Sequence, residues 1–485
     1  MEVDGLGDGF VCVIFIDDTL PGYKPDEDGK EWFLDTTRYS TSSPTINLLR
    51  NQIDIEQTPF SDRGSRLLLY KEKGASRFYI KLAERLISLD ENIEAYLARP
   101  AFIREMTLLD EDGQPMSFEV VSYPHILHLQ TKAGDFAIAF QDIHTIALGF
   151  PAQVNAGVRF EVSPQLWKET PMGGEFRAVR DLGYATNGEL LQSQVTPCAG
   201  GYQIEAMVKS GDDTSFAFSI GNGLPSLKEV EPFSTVSDQA EERWQDWFKG
   251  VPPVIDKYRR TYAYAWWVMA NNLIKPRGKI AYEAMVPSKG SYVGLWLWDS
   301  AMHALAYRHV DAELARNQIR AMLACQLPDG MLPDAVYDEG VIAEIEHPIK
   351  AEVTKPPILA WAALKLHDVA PDLAFLEEIY VPLVRWNAWW FSMNDDDADG
   401  LAQYNHPYSS GLDDNPLWDY GMPVESPDLN TYLCVQMGSL AMIAELLGMD
   451  AEAGMWRRRS AAIVNRMVQD FWDEEAGIFL SLIHI

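Results

Sequence analysis

Five short segments in the second half of the chain gather residue types that can do chemistry. The first is Gly294-Leu295-Trp296-Leu297-Trp298-Asp299-Ser300. Two indoles followed by an acid suit a sugar: its ring face is apolar, its edge is hydroxyls, and a carboxylate accepts from two of them. The same residues would equally make a core pair and a helix cap. The second, Gln326-Leu327-Pro328-Asp329-Gly330-Met331-Leu332-Pro333, ends a helix with a turn. The third, Thr354-Lys355-Pro356-Pro357, opens a helix. A lysine there is ordinarily a solvated charge. The fourth, Ser409-Ser410-Gly411-Leu412-Asp413-Asp414-Asn415-Pro416-Leu417-Trp418-Asp419, crowds acids, a Trp and a Gly into one long loop. A general acid needs a raised carboxyl pKa, which a second carboxylate and an aromatic wall provide; a plain polar turn has a similar composition. The fifth, Asp395-Asp396-Asp397-Ala398-Asp399-Gly400, matches the first half of a calcium loop, with Asp395, Asp397 and Asp399 as ligands. Its twelfth position is His406 rather than the bidentate Glu of that motif, so a solvated acidic turn is the alternative.

Other chemistry is disfavoured. The chain has no Walker A sequence, no GxGxxG after a strand, no GxSxG and no HExxH, and its nine His form no close pair at zinc spacing on one helix face. With 71 acidic against 40 basic residues the net charge is −31, which argues against nucleic acid and anionic membranes as partners. Hydrophobic residues at 47% and charged residues at 23% give a soluble globular composition. Cys12, Cys198, Cys325 and Cys434 are far apart, which excludes a dense disulfide framework and a Cys-type zinc site and leaves ordinary buried thiols. No apolar run reaches the length of about 18 residues that spans a membrane. Met1 to Asp18 lacks the basic start and long apolar stretch of a signal peptide. A cytoplasmic protein is expected.

Two kinds of element must position these segments. Of 15 Trp, only Trp32 and Trp167 precede residue 244. Residues 1–250 read as a β-rich, sandwich-like domain. Short apolar segments flank turns at Asp110-Glu111-Asp112-Gly113, Ala133-Gly134-Asp135, Asn187-Gly188 and Gly211-Asp212-Asp213. One helix is expected near 77–88, and Pro21 to Lys30 reads as an exposed arm. A linker lies at Gly250-Val251-Pro252-Pro253. From there apolar residues recur at i, i+3, i+4, predicting helices near 254–275, 299–309, 311–326, 354–368, 373–393, 428–448 and 451–473. Ser426-Pro427-Asp428 is a helix start signal. Helical hairpins with long loops at 327–353 and 394–427 point to a toroid of helix pairs over 251–485, with the site on the loop face. A six-pair toroid needs twelve helices and the pattern supplies seven, so the ring is expected to be incomplete.

The order of the motifs says more than any one of them. Trp-x-Trp-Asp-Ser, Gln…Asp-Gly-x-x-Pro, x-Pro-Pro before a helix, Asp-x-Asp-Gly-Leu and Ser-Gly-x-Asp…Trp-Asp follow one another over about 250–480. The series resembles glycoside hydrolase family 63 and its mannosylglycerate-hydrolase-like relatives, and trehalases share part of it. The resemblance implies an (α/α)6 toroid behind a β-sandwich. It also implies inverting hydrolysis of an α-linked glucosyl or mannosyl residue, by two carboxyls about 6.5–9.5 Å apart. Asp413 matches the general acid of that family. Trp296, Trp298 and Asp299 match the residues that hold the terminal sugar, and Trp418 and Asp419 match a segment lining the site. Gln326 and Lys355 belong to the matched substrate motifs. The family commonly has Glu where Ser409 stands and Gln where Lys355 stands, and the second departure points to an anionic group on the substrate.

The resemblance places the general base on a Glu beyond the seventh helix, which nothing here matches, so the chain as given is expected to be inactive or nearly so. No cofactor is required, structural calcium aside, and the expected partner is a carbohydrate. A trehalase-like hydrolase, a non-catalytic carbohydrate-binding toroid and an unrelated α-toroid with an acid-rich metal motif are the other readings.

Overall fold

The computed structural model describes residues 39, 41–85, 98–163, 166–177, 180–221 and 230–483. Cys12, the Pro21–Lys30 arm and residues 86–88 lie outside them. Two antiparallel sheets fill the first half. One has six strands in the order Leu67–Lys71, Phe78–Leu82, Ile103–Leu109, Asn155–Val162, Gly201–Lys209, Glu189–Cys198. The other has eight, in the order Glu119–Ser122, Ile126–Thr131, Gly134–Asp142, Thr145–Phe150, Thr214–Gly221, Asp181–Thr186, Gly173–Arg177, Leu166–Thr170.

Alternation decides which face is inward. Val158, Phe160, Ile204, Ala206 and Val208 of the first sheet and Ile138, Leu148, Phe216 and Phe218 of the second are fully buried. The sheets meet where Phe160 packs edge-on against Phe218, ring centroids 5.1 Å apart. Turn chemistry sets the hairpins. The Asp110 carboxylate accepts from the Asp112 and Gln114 amides, and Gly113 takes φ +73°.

The expected helix at 77–88 is corrected. Phe78–Leu82 is a strand between Leu67–Lys71 and Ile103–Leu109. Phe78 and Ile80 are buried while Tyr79 and Lys81 are not, a period of two that the helical reading overlooked.

A helix not foreseen in this half, α1 (Phe233–Gly250), buries Val236, Ala240, Trp244, Trp247 and Phe248. It packs on strands Gly134–Asp142 and Thr145–Phe150. Its Phe233 ring occupies the place of a side chain at Gly149, where a Cβ would come within 2.4 Å of it. Across the Gly250–Pro253 linker the Trp247 indole donates to the Trp266 carbonyl at 3.0 Å. One apolar core therefore continues from the sandwich into the helices.

The helices that follow are α2 (Arg259–Asn271), α3 (Leu297–Tyr307), α4 (Ala312–Leu323), α5 (Leu359–Val369), α6 (Leu373–Met393), α7 (Pro427–Leu446) and α8 (Asp450–Asp470). The expected spans are met within a few residues, except that α2 runs only from Arg259 to Asn271 rather than over 254–275 and α5 starts after Pro356 and Pro357 rather than at 354. The packing forms an arc of helix pairs. Helices α3, α5 and α7 lie side by side, with α4 against α3, α6 against α7 and α4, and α8 against α7. No helix among the described residues is long and apolar enough to cross a membrane.

Ion pairs lock the halves together. Glu84, its side chain 1% exposed, takes Arg180 at 2.9 Å and also Arg277. Asp338 takes Arg66 at 2.6 Å and Arg277 at 2.5 Å. Removing one partner of such a buried set leaves charges uncompensated. Glu84→Gln is therefore expected to lower unfolding stability by about 3–5 kcal/mol, read by urea denaturation; a change below about 1 kcal/mol, the range of exposed pairs, would show the network to be peripheral.

Candidate active site

The Trp-x-Trp-Asp segment is fixed at a strand-to-helix junction. Leu295–Trp296 pairs with Ala335–Val336, which pairs in turn with Val341–Ile342. The Leu297 amide donates to the Asp334 carbonyl at 3.0 Å, and Ser300 Oγ to the Trp296 carbonyl at 2.8 Å. Trp296 occupies the cap position of α3, and Asp299 lies inside the first turn, where the helix dipole favours an anion. Trp296 packs edge-on against Tyr292 at 5.2 Å and Tyr337 at 5.9 Å between centroids. Gly294 makes room for Tyr337, since a Cβ would sit 2.7 Å from that ring.

Trp298 carries the junction to the acid-rich loop. Its ring covers Gly411, where a Cβ would fall 2.3 Å from Cζ2. Gly411 also takes φ +72°, so it is required both for space and for backbone. The loop is closed by the Trp418 indole donating to the Leu412 carbonyl at 2.9 Å and by Trp418 packing edge-on to Tyr404 at 5.8 Å. Asn415 caps the short 3₁₀ turn Pro416–Tyr420 through the Leu417 amide at 2.9 Å. Asp413 and Asp419 are exposed on this loop, one on the turn before the cap and one within the 3₁₀ segment.

Beneath the loop lies a buried charge cluster. Lys355, 5% exposed, pairs with Asp334, 4% exposed, at 3.1 Å. The Lys355 ammonium also donates to the Tyr408 carbonyl. Burial pushes the Asp334 carboxyl up, Lys355 pulls it back down, and Asp413 and Asp299 push it up again. Burial likewise raises Asp299, against the pull of a backbone N–H and of Lys355. His406 is fully buried. Its Nδ1 accepts from the Tyr408 amide at 3.1 Å and its Nε2 lies 3.2 Å from the His347 carbonyl. Burial pushes it down, with smaller opposing pulls from the His347 carbonyl and Asp413.

The structure thus brings Trp296, Trp298, Asp299, Lys355 and Asp413 to one place, with Trp418 and Asp419 on the same loop. Gln326 is occupied elsewhere, its amide donating to the Gly330 and Pro382 carbonyls, both at 2.8 Å. Asp395, Asp397 and Asp399 bring one oxygen each within 4.8 Å of the others. Those oxygens already hold their own turn: Asp395 accepts from the Asp399 and Gly400 amides, and Asp399 takes Arg466 at 2.9 Å. Asp334, Tyr337 and His406 were not singled out as site residues. Asp334 directly follows Asp-Gly-Met-Leu-Pro, and an acid ending a motif of that kind was the available signal.

The chain has similarities to known proteins. Residues 292–484 match the mannosylglycerate hydrolase MGH1-like glycoside hydrolase domain. The helical half of the chain is similar to mannosylglycerate hydrolases. It is 32% identical over 161 residues to a mannosylglycerate hydrolase of Thermus thermophilus, covering 29% of this chain and 39% of that protein. It is 27% identical over 168 residues to mannosylglycerate hydrolase MGH2 of Selaginella moellendorffii, covering 32% of this chain and 34% of that protein. The chain therefore matches little more than a third of the length of these relatives. At the level of fold, a family GH92 inverting mannosidase from Bacteroides thetaiotaomicron aligns with a TM-score of 0.53 at 10% identity, covering 91% of this chain and 67% of its own. The β-rich part followed by a helical part is thus a known arrangement.

Calcium at the Asp395 turn has a direct test. An ion bound only by the folded state raises the melting temperature with concentration. The expected result is a rise on adding millimolar calcium that Asp397→Asn removes; indifference to both calcium and chelator would leave the turn held by its own hydrogen bonds.

Proposed function

We propose that the protein is an inverting glycosidase acting on an α-linked mannosyl or glucosyl residue, with Asp413 as general acid. The reading takes residues 1–250 as a sandwich-like domain and 251–485 as part of an (α/α)6 catalytic toroid. The observation that carries it is the seating of Trp298 on Gly411. That contact puts Trp298, and with it the neighbouring Asp299, beside the loop that bears Asp413, while Trp296 caps the same helix against Tyr292 and Tyr337. The indoles and Asp299 offer the apolar face and the paired acceptors that a terminal sugar needs. In this reading Asp413, solvent-facing on that loop, protonates the departing glycosidic oxygen, and Trp418 and Asp419 help line the site. Inversion also needs a carboxylate about 6.5–9.5 Å from the acid to activate water. Asp334 is committed to Lys355 and Asp299 to the sugar edge, so neither is given that role. A substrate of the mannosylglycerate or glucosylglycerate type is favoured, since relatives along this stretch are hydrolases of those compounds.

The test uses protein expressed from the full reading frame, with mannosylglycerate, glucosylglycerate, trehalose and neutral α-mannosides and α-glucosides as substrates. Asp413→Asn is expected to lower kcat by about 10²–10⁴ with KM little changed, the signature of a lost general acid. Trp298→Ala is expected to act mainly on KM. Full activity in Asp413→Asn would reject the assignment, and sugar binding without any turnover would favour the non-catalytic reading.

A further inference from the structure

Lys355 is the unusual member of the site. A buried lysine must be paired, and this one is paired twice. Its ammonium meets Asp334 at 3.1 Å and donates to the Tyr408 carbonyl. Those partners sit on different elements. Asp334 adjoins the strand pair that fixes Trp296, and its own carbonyl receives the Leu297 amide at the start of α3. Tyr408 lies in the short 3₁₀ turn Pro407–Ser410, immediately before Gly411 and the Asp413 loop. One cation therefore bridges the segment that presents the indoles and the segment that presents the acid.

We propose that Lys355 is a positioning residue that ties the Asp413 loop to the Trp296–Asp299 junction, and that its charge is spent inside the protein rather than on an anionic substrate group. The proposal rests on the glycosidase reading for its catalytic consequence and on geometry alone for its structural one. It also explains the chain's choice of residue. A neutral amide at this position would leave the buried Asp334 carboxylate without a counter-charge, and a solvated lysine would not reach Tyr408. Asp299 and His406 also feel the charge of the ammonium, and Asp413 acts on the Asp334 carboxylate paired with it.

The experiment compares wild type, Lys355→Met, and Lys355→Met with Asp334→Asn. The single variant strands a buried carboxylate and is expected to lose stability broadly. The double variant restores neutrality and keeps the protein folded, yet still leaves the Tyr408 carbonyl without its charged donor. Amide hydrogen exchange over 407–420 is expected to quicken by about tenfold or more in the double variant, the scale of losing one charge-assisted hydrogen bond in a local opening. The α3–α8 helix interiors should exchange as in wild type. Loop exchange equal to wild type in the double variant overturns the proposal. Where wild type turns over substrate, the double variant should lose kcat and keep the wild-type ratio of anionic to neutral aglycones. Loss of that ratio overturns the claim that the charge is spent internally. A wild type expressed from the full reading frame that shows no turnover refutes the glycosidase reading, while the exchange result still decides the role of Lys355.

Discussion

The buried pairing of Lys355 with Asp334 is the constraint on which the site depends. A carboxylate 4% exposed and an ammonium 5% exposed cannot be left unpaired at tolerable cost. The chain must therefore bring the loop before α5 against the turn after Met331. Once that is done, Asp334 holds the entry to α3 through the Leu297 amide, and Lys355 holds Tyr408. Trp298 can then close onto Gly411 only because that residue lacks a side chain and adopts a positive φ. The two halves of the site are joined by the Lys355 bridge from Asp334 to the Tyr408 carbonyl and by the Trp298 ring on Gly411.

The remainder of the fold supports that junction from outside. The sandwich donates Arg66, Glu84 and Arg180 to a second buried network that grips Arg277 and Asp338. Asp338 follows Tyr337, the ring that Trp296 leans on. The β-rich half therefore acts on the site at one remove, by fixing the loop behind the first indole. Helix α1 and its Trp247–Trp266 bond keep the halves from separating at the proline linker.

Much of this was legible in the sequence, and the gaps have physical causes. Helices α3 to α8 were readable because their apolar spacing is regular, with side-chain caps at Asp311 of α4 and Asp372 of α6. The strand at Phe78–Leu82 was misread because five residues with alternating burial sit inside a segment whose composition also suits a helix. Helix α1 was missed because its apolar face matches the sandwich beside it rather than the helices that follow. The acid-bearing loop was found through its motif. That Trp298 lies on Gly411, or that Lys355 reaches Tyr408, depends on contacts across more than fifty residues, which local pattern does not encode. The reading of Lys355 as a solvated charge came from its usual exposure, and Asp334 was passed over because one acid beside a proline carries no periodic signal.

The central claim is that a sugar sits at the meeting of Trp296, Trp298, Asp299 and the Asp413 loop. The most direct measurement is a crystal structure of the protein with a non-hydrolysable α-S-linked mannoside of glycerate. The account predicts the mannosyl ring against the two indoles, its hydroxyls on Asp299, and Asp413 within hydrogen-bonding distance of the bridging sulfur. Density for the ligand only on the sandwich, or in the helical half away from the Trp298–Gly411 contact, would contradict it.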